Sequence, residues 1–249
     1  RQDFSDRLVV QQNDAARQDD GSAHSGGGGE SAWVSVSMPD FRMGSDPVTL
    51  CPGGIIVSCQ SKEGDPTHCP EFMAAFAKSA EIGGAAGIRA NSVVDIEAIK
   101  KITDLPVIGI WKRHWEDDWW NIMITPTFAD CRELVDAGAD IIAIETTGRK
   151  RPNNEDVKEL VDRVRNELNV PVMADCHDME DALRTNADII APTLSCVGGE
   201  EDYMPPWALL ERMVKEQSRP VIAEGHFWEP ACVTRGFEIG VHAIVIGSA

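Results

Sequence analysis

A closed (β/α)8 barrel, an α/β fold, is predicted by three features of this sequence. Short, uniformly apolar, β-branched runs alternate with amphipathic stretches from residue 51 onward. There are eight such runs. The same punctuation also recurs ahead of them, "AGAD" and "TNAD" before some and "LPV", "VPV" and "RPV" before others. Strands that are apolar throughout belong to parallel sheets covered by helices on both faces, and eight strand-helix units close into a ring. An open, doubly wound sheet is the runner-up, and the recurring helix-stop, strand-start signals favour the barrel.

In chain order, the first run, "GIIVSC", is short and rich in β-branched residues, and the following "EFMAAFAKSAEIG" has helical spacing of its apolar positions and ends on glycine. "AGIRA" and "VVDIEAIKKI" form the second strand and helix. "VIGIWK" is the third strand, ending on a lysine, and "FADCRELVDAG" is the next helix. The remaining pairs are "DIIAIET" with "NEDVKELVDRVRNEL", "VMADC" with "MEDALRTN", "DIIAPTL" with "PWALLERMVKEQ", and "VIAEG" with "EPACVTRGFEIG", which reads as plain helix. "AIVIGS" is the eighth strand, and the sequence stops at Ala249 with the eighth helix missing. Such a flank, apolar and uncovered beside the first strand, predicts a homodimer or aggregation.

Residues 1–48 differ in texture, with a Gly/Ser-rich "DDGSAHSGGGGESA" and no sustained period. They are expected to form a disordered N-terminal extension, with at most a short strand near "AWVSVSM", ahead of a barrel domain over residues 49–249. The formal net charge of -18 argues against nucleic acid and against anionic membrane surfaces as partners. An anionic small molecule would need a locally positive pocket. Seven cysteines without a CxxC pair suit reduced thiols. No apolar run reaches 18 residues and no secretion signal is evident, so a cytoplasmic protein is expected.

In a barrel of this kind, reactive groups sit at the carboxyl ends of the strands. Those positions hold Ser58, Cys59 and Gln60, then Arg89 and Asn91, Lys112, Glu145 and Thr146, Asp175, Thr193 and Ser195, Glu224, and finally Gly247 and Ser248. Alone, Lys112 would be read as a charged strand end reaching water. Its convergence with Arg89, Asp175 and Glu224 favours chemistry. Gly225 and the Gly247-Ser248 pair suit a phosphate cradle, because glycine lets backbone N–H groups approach an anion, although tight strand-to-helix turns need the same residues. Cys176-His177-Asp178 and His68-Cys69 carry ligand-type residues without a zinc spacing, so no metal is expected. No GxSxG elbow is present either. The segment "RHWEDDWWN" reads as a loop over the mouth, where Trp115, Trp119 and Trp120 would act as a lid or pack on the next helix.

Nine blocks, in order, resemble the N-acetylmannosamine-6-phosphate 2-epimerases, bacterial TIM-barrel enzymes of sialic-acid and amino-sugar catabolism. They are "GGIIVSCQ", "GGAAGIRAN", "PVIGIWKR", "ITPT", "AGADIIAIETTGRKRP", "MADC", "PTLS", "PVIAEG" and "AIVIGSA", running from residue 53 to the end. The resemblance implies interconversion of N-acetylmannosamine 6-phosphate and N-acetylglucosamine 6-phosphate by inversion at C2, with no cofactor. It implies that Lys112 moves the C2 proton and that Glu224 assists ring opening. Gln60, Arg89 and Asp175 match positions lining the substrate site, and Thr193 and Ser195 join the expected substrate-binding set. Against the family pattern, "LSC" stands where "LSG" is usual and "ETT" where "DAT" is usual. The Thr-Arg-Pro-like motif and final helix, whose arginine helps bind phosphate, do not appear before Ala249.

The chemistry sets a demand on Lys112. C2 of the open-chain sugar lies beside an aldehyde, so loss of its proton gives an enolate-like intermediate that can be reprotonated on the other face. An ordinary lysine, with a pKa of ~10.4, is only about 0.04% neutral at pH 7, so the ammonium must be disfavoured by roughly 3 to 4 kcal/mol. Partial burial beside Arg89 acts in that direction, and Arg89 with backbone dipoles would stabilise the oxyanion. Two other readings use the same mouth: a Schiff-base lyase of sugar phosphates, with Lys112 capturing a carbonyl, and a catalytically silent sugar-phosphate-binding barrel.

Overall fold

A computed structural model describes residues 54–115, 118–195 and 204–247 of the chain, without the side chains of residues 115 and 118–121. The expected N-terminal extension and the strand near "AWVSVSM" lie outside the described residues. The elements are β1 (Gly54–Cys59), α1 (Pro70–Ile82), β2 (Gly87–Asn91), α2 (Val93–Lys100), β3 (Val107–Ile110), β4 (Lys112–Trp115) and β5 (Asp118–Ile124). They continue with α3 (Phe128–Asp136), β6 (Ile141–Glu145), α4 (Val157–Arg163), β7 (Val172–Asp175), α5 (Met179–Leu183) and β8 (Ile189–Ala191). The last are α6 (Trp207–Glu216), β9 (Ile222–Glu224), α7 (Pro230–Ile239) and β10 (Ala243–Ile246).

Eight strands lie side by side in the order β8-β7-β6-β3-β2-β1-β10-β9, and every neighbouring pair is parallel. The ring is completed between β8 and β9 by one isolated parallel bridge, Ile190 to Val221. This is the predicted TIM barrel, and all eight expected strands take part in it.

Side-chain parity explains why the strands are apolar throughout. One buried cluster contains Ile56, Ile108, Ile110, Ile141, Ala143, Met173, Ile189, Ala191, Ile222, Ala243 and Val245. A second contains Ile88, Ala90, Val107, Ile142, Ile144, Val172, Ala174, Ile190, Ala223 and Ile244, together with helix residues such as Ile96, Leu134, Leu160 and Met213. Alternate residues of each strand therefore fill the barrel interior or meet the helices, so both faces are dry.

The "AGAD" and "TNAD" punctuation has a physical function. Asp140, just before β6, accepts the Val107 N–H of β3 at 2.8 Å and pairs with Lys100 at 3.1 Å. Asp188, just before β8, accepts the Val172 N–H of β7 at 2.9 Å and pairs with Arg165 at 2.9 Å. Each aspartate ties the start of its own strand to the start of its neighbour, at the end of the barrel opposite the mouth. These latches satisfy strand N–H groups that would otherwise be left over.

Helix starts follow their caps. Thr127 and Asp130 form a capping box at α3, while Ser92, Asp156 and Asp178 cap α2, α4 and α5 through their side chains. The helix expected over "MEDALRTN" stops at Leu183. Its late carbonyls are taken by Arg219, which donates to Ala182, Thr185 and Ala187 oxygens at 2.7, 3.1 and 3.3 Å.

One expectation is corrected. "RHWEDDWWN" is not a simple loop: β4 and β5 form a two-stranded antiparallel ribbon, separate from the barrel sheet, with Lys112 opposite Ile124. Aromatic residues on both arms, with Ile122 and Ile124 on the second, favour pairing over an irregular loop. The side chains proposed as a tryptophan lid lie outside the described residues.

Candidate active site

The interior parity runs on past the apolar layers into the mouth. Two residues beyond interior positions come Ser58, Glu145, Asp175, Thr193 and Glu224, and Arg89 of β2 projects into the same space. Period two thus delivers charged side chains from several strands to one place.

Arg89 is 1% exposed and Asp175 is fully buried. Their two hydrogen bonds, Nη2 to Oδ2 at 2.7 Å and Nη1 to Oδ1 at 3.3 Å, form a bidentate pair. Arg89 Nε faces Glu224 Oε2 at 3.5 Å without a hydrogen bond. Burial opposes the Arg89 charge, but Asp175 and Glu224 override it and its pKa is raised. Its guanidinium is turned toward protein carboxylates, so Arg89 acts on the mouth chiefly through its field.

Thr193 links the two acids. Its hydroxyl lies 2.7 Å from Asp175 Oδ1 and 3.3 Å from Glu224 Oε2, but it has one proton to donate. Burial pushes the Glu224 carboxyl upward and Asp175 adds to this, while Arg89, Lys112 and the Thr193 hydroxyl oppose it; the balance is a raised pKa. The Glu224 side chain keeps 19% of its surface accessible, so it is poised at the wall of the mouth rather than sealed.

Lys112 follows β3 at the foot of the ribbon. Its backbone N–H donates to Asn91 Oδ1 at 2.9 Å, and the neighbouring Trp111 N–H donates to Thr125 Oγ1 at 3.0 Å. Desolvation is the largest influence on its amine, followed by the Arg89 charge; Glu224 and Asp175 pull the other way, and its pKa is lowered. The residue as a whole is solvent-exposed, which at first sight conflicts with desolvation. In a concave mouth the two coexist, because surface reachable by water is still flanked by protein that replaces most of bulk hydration.

Gln60 Nε2 donates to Ser58 Oγ at 2.7 Å, leaving its buried amide oxygen without a protein partner. Ser195 Oγ donates to the Pro192 carbonyl at 2.7 Å in the turn after β8. Gly225, just after β9, has φ +103, a conformation that glycine adopts without a Cβ penalty, and His226 continues the sharp turn at φ +60. Gly247 passes beside Ser58 at the end of β10, while Ser248 lies outside the described residues.

Other candidate features are accounted for structurally. Cys176 donates its thiol to the Ala191 carbonyl at 3.1 Å, Asp178 caps α5, and Cys69 precedes α1. Among the described residues no group of three or more His, Cys, Asp or Glu stands together as a metal cluster. Burial pushes the Cys59 thiol up to about 11, which disfavours a thiolate there. A cleft of about 430 Å³ opens between the ribbon and α3, lined by residues including Lys112, Arg113, Thr127 and Asp130, so Lys112 borders both this cleft and the mouth. Arg89, Asp175 and Glu224 do not line it, so the mouth is the better candidate for chemistry.

Glu145 stood among the strand-end residues without a role, and its surroundings were not anticipated. It is 1% exposed, and its Oε2 accepts the Ile124 N–H at 3.3 Å while Oε1 accepts Thr147 Oγ1 at 2.6 Å and Arg149 Nη1 at 3.1 Å. Arg149 also donates to the Ile122 carbonyl at 2.9 Å. Only a ribbon placed over the mouth brings Ile122 and Ile124 within reach, so no local sequence signal marks this contact.

The sequence profile of a family described as "Putative N-acetylmannosamine-6-phosphate epimerase" matches residues 73–249. A relative from Clostridioides difficile, named "Putative N-acetylmannosamine-6-phosphate 2-epimerase", is 46% identical over 205 residues, covering 79% of this chain and 89% of the relative. One of the same name from Cutibacterium acnes is 39% identical over 204 residues, covering 79% and 87%. The solved structure of the N-acetylmannosamine-6-phosphate 2-epimerase from Clostridium perfringens superposes with a TM-score of 0.75 at 34% identity, covering 86% of this chain and 93% of that one.

Proposed function

The chain belongs to the N-acetylmannosamine-6-phosphate epimerase family, and from that premise we propose that it interconverts N-acetylmannosamine 6-phosphate and N-acetylglucosamine 6-phosphate by proton transfer at C2. The observation that carries the site assignment is the pairing, at one mouth, of an amine with a lowered pKa and a carboxyl with a raised one, Lys112 and Glu224. Environments that push two titratable groups toward each other in this way suit acid-base work near neutrality.

The steps balance as follows. Glu224, protonated, gives its proton to the ring oxygen as the C1–O5 bond breaks, and the hemiacetal hydroxyl passes its proton to solvent water to leave a free aldehyde. Neutral Lys112 then takes the C2 proton, and the electron pair becomes the C1=C2 bond with negative charge on the aldehyde oxygen. The ammonium returns a proton to the opposite face of C2, which with a single carrier requires the C1–C2 unit to turn between the two transfers. Arg89, held by Asp175, favours both the neutral amine and the developing anion through its charge.

The remaining assignments are of the same kind. Gln60, with its unpartnered amide oxygen, offers an acceptor for a substrate N–H or hydroxyl, and Thr193, Ser195, Arg89 and Asp175 line or support the same wall. Gly225, Gly247 and Ser248 are the phosphate-binding candidates, with Gly225 and Gly247 at the ends of adjacent strands.

The test is exchange of the C2 proton in deuterated water, with epimer formation read by NMR, for the intact chain and for Lys112→Ala and Glu224→Ala. Loss of exchange in Lys112→Ala and slowed epimerisation in Glu224→Ala are expected. Full activity in both variants would overturn the site assignment, and borohydride trapping of an adduct on Lys112 would replace epimerisation with Schiff-base chemistry.

A further inference from the structure

We propose that Glu145 is a positioning residue for Lys112, acting through the β4–β5 ribbon rather than on the substrate; this rests on the reading of Lys112 as the C2 proton carrier. The ribbon has no ladder to the barrel sheet. Its orientation therefore depends on contacts at its foot. On the β4 side these are the bond from Lys112 N–H to Asn91 and the exchange between Trp111 and Thr125, whose N–H donates to the Trp111 carbonyl at 2.8 Å.

On the β5 side the contacts come from the segment after β6. Glu145 accepts the N–H of Ile124, the residue directly opposite Lys112. Arg149 binds both Glu145 and the Ile122 carbonyl, and Arg151 Nη1 donates to the Pro126 carbonyl at 3.2 Å. A buried carboxylate thus grips the backbone facing the lysine, and Thr147 and Arg149 saturate its other oxygen. Glu145 lies on the interior parity of β6, so its backbone is fixed by the barrel itself.

The amine that this geometry aims is sensitive to displacement. Around it stand Arg89 from β2, Asp175 from β7, Glu224 from β9 and Lys62 from the segment after β1. A shift of about 1 Å in a reacting group can cost on the order of 10²-fold in rate. A ribbon that swings outward also rehydrates the amine and carries it away from Arg89, so proton affinity rises together with misalignment.

Two readouts test this on the full chain. The pH dependence of Lys112 acetylation by limiting acetic anhydride, followed by peptide mass spectrometry, reports the amine without requiring activity. Initial rates of C2 epimerisation give kcat and KM. Glu145→Ala is expected to move the Lys112 labelling profile to higher pH and to lower kcat by about 10- to 100-fold, with a smaller change in KM. Glu145→Gln, which retains an acceptor for Ile124 but loses the charge facing Arg149, is expected to fall between. Val164→Ala, a buried change remote from the ribbon, controls for general destabilisation and should leave the labelling profile in place. Superposable profiles for wild type and a folded Glu145→Ala would overturn the proposal. If the wild-type chain lacks C2 exchange, the epimerase reading fails, while the labelling profiles still decide whether Glu145 positions Lys112.

Discussion

Replacing Asp175 with alanine removes the partner that makes a buried arginine tolerable. Arg89 is 1% exposed, and Asp175 accepts two hydrogen bonds from it at 2.7 and 3.3 Å. Glu224 is the other nearby carboxylate, but it stands 3.5 Å from Nε without a hydrogen bond, and burial pushes its carboxyl upward. Breaking a buried pair on one side typically costs about 3–5 kcal/mol, because the surviving charge is left uncompensated. At ~2–4 °C per kcal/mol for a domain of this size, the melting temperature of Asp175→Ala should drop by roughly 6–20 °C. Urea unfolding followed by circular dichroism measures the change as a lowered midpoint at constant slope. The double variant Arg89→Met/Asp175→Leu should recover most of the loss while remaining inactive. A change below ~1 kcal/mol for Asp175→Ala at unchanged slope would refute the argument, since the pair could not then be the desolvated anchor described above.

Four further outcomes are expected. The folded-state pKa of Lys112 lies below its unfolded value, so this residue's contribution to stability is present above ~10.4 and lost as pH falls through the folded value. Lys112→Met should therefore gain stability relative to wild type over that descent. Glu224 has the opposite sign, so Glu224→Gln should gain relative to wild type as pH rises above ~4.3; denaturant titrations across pH check both. Thr193→Val deletes the hydroxyl shared by Asp175 and Glu224 and should lower stability by about 1.5–3 kcal/mol by urea titration, with Thr193→Ser restoring most of it. In Gly109→Ala the new Cβ would lie 2.7 Å from Ala139 Cβ and 3.1 Å from Ile96 Cδ1, so thermal melts should show a loss of about 1–3 kcal/mol, partly rescued by Ala139→Gly.

The barrel was legible because its strands are dry on both faces and its punctuation repeats. Strand parity even carried the site: counting by two from Met173 or Ile222 reaches Asp175 and Glu224. What parity cannot provide is the partner of each group. That Arg89 is committed to Asp175, and that one Thr193 hydroxyl serves two carboxyls, depends on distances across the mouth between strands far apart in sequence. The ribbon escaped prediction because its pairing is set against its own second arm, without the helix-strand alternation that identifies the rest. Glu145 escaped with it, since its partners are backbone groups of that ribbon. The early end of α5 has a similar cause, because Arg219 lies more than thirty residues from the carbonyls it binds.

The lone bridge between Ile190 and Val221 makes the β8–β9 boundary the thinnest stave joint of the barrel. Thr193 extends from one side of that joint and Glu224 from the other, and the hydrogen bond between them spans it at the top. Arg219 spans it at the bottom by holding the carbonyls before β8. On the proposed site assignment, a sugar phosphate that engaged both side chains would act as a hoop, and amide exchange near Ile190 and Val221 would become a gauge of ligation that needs no turnover.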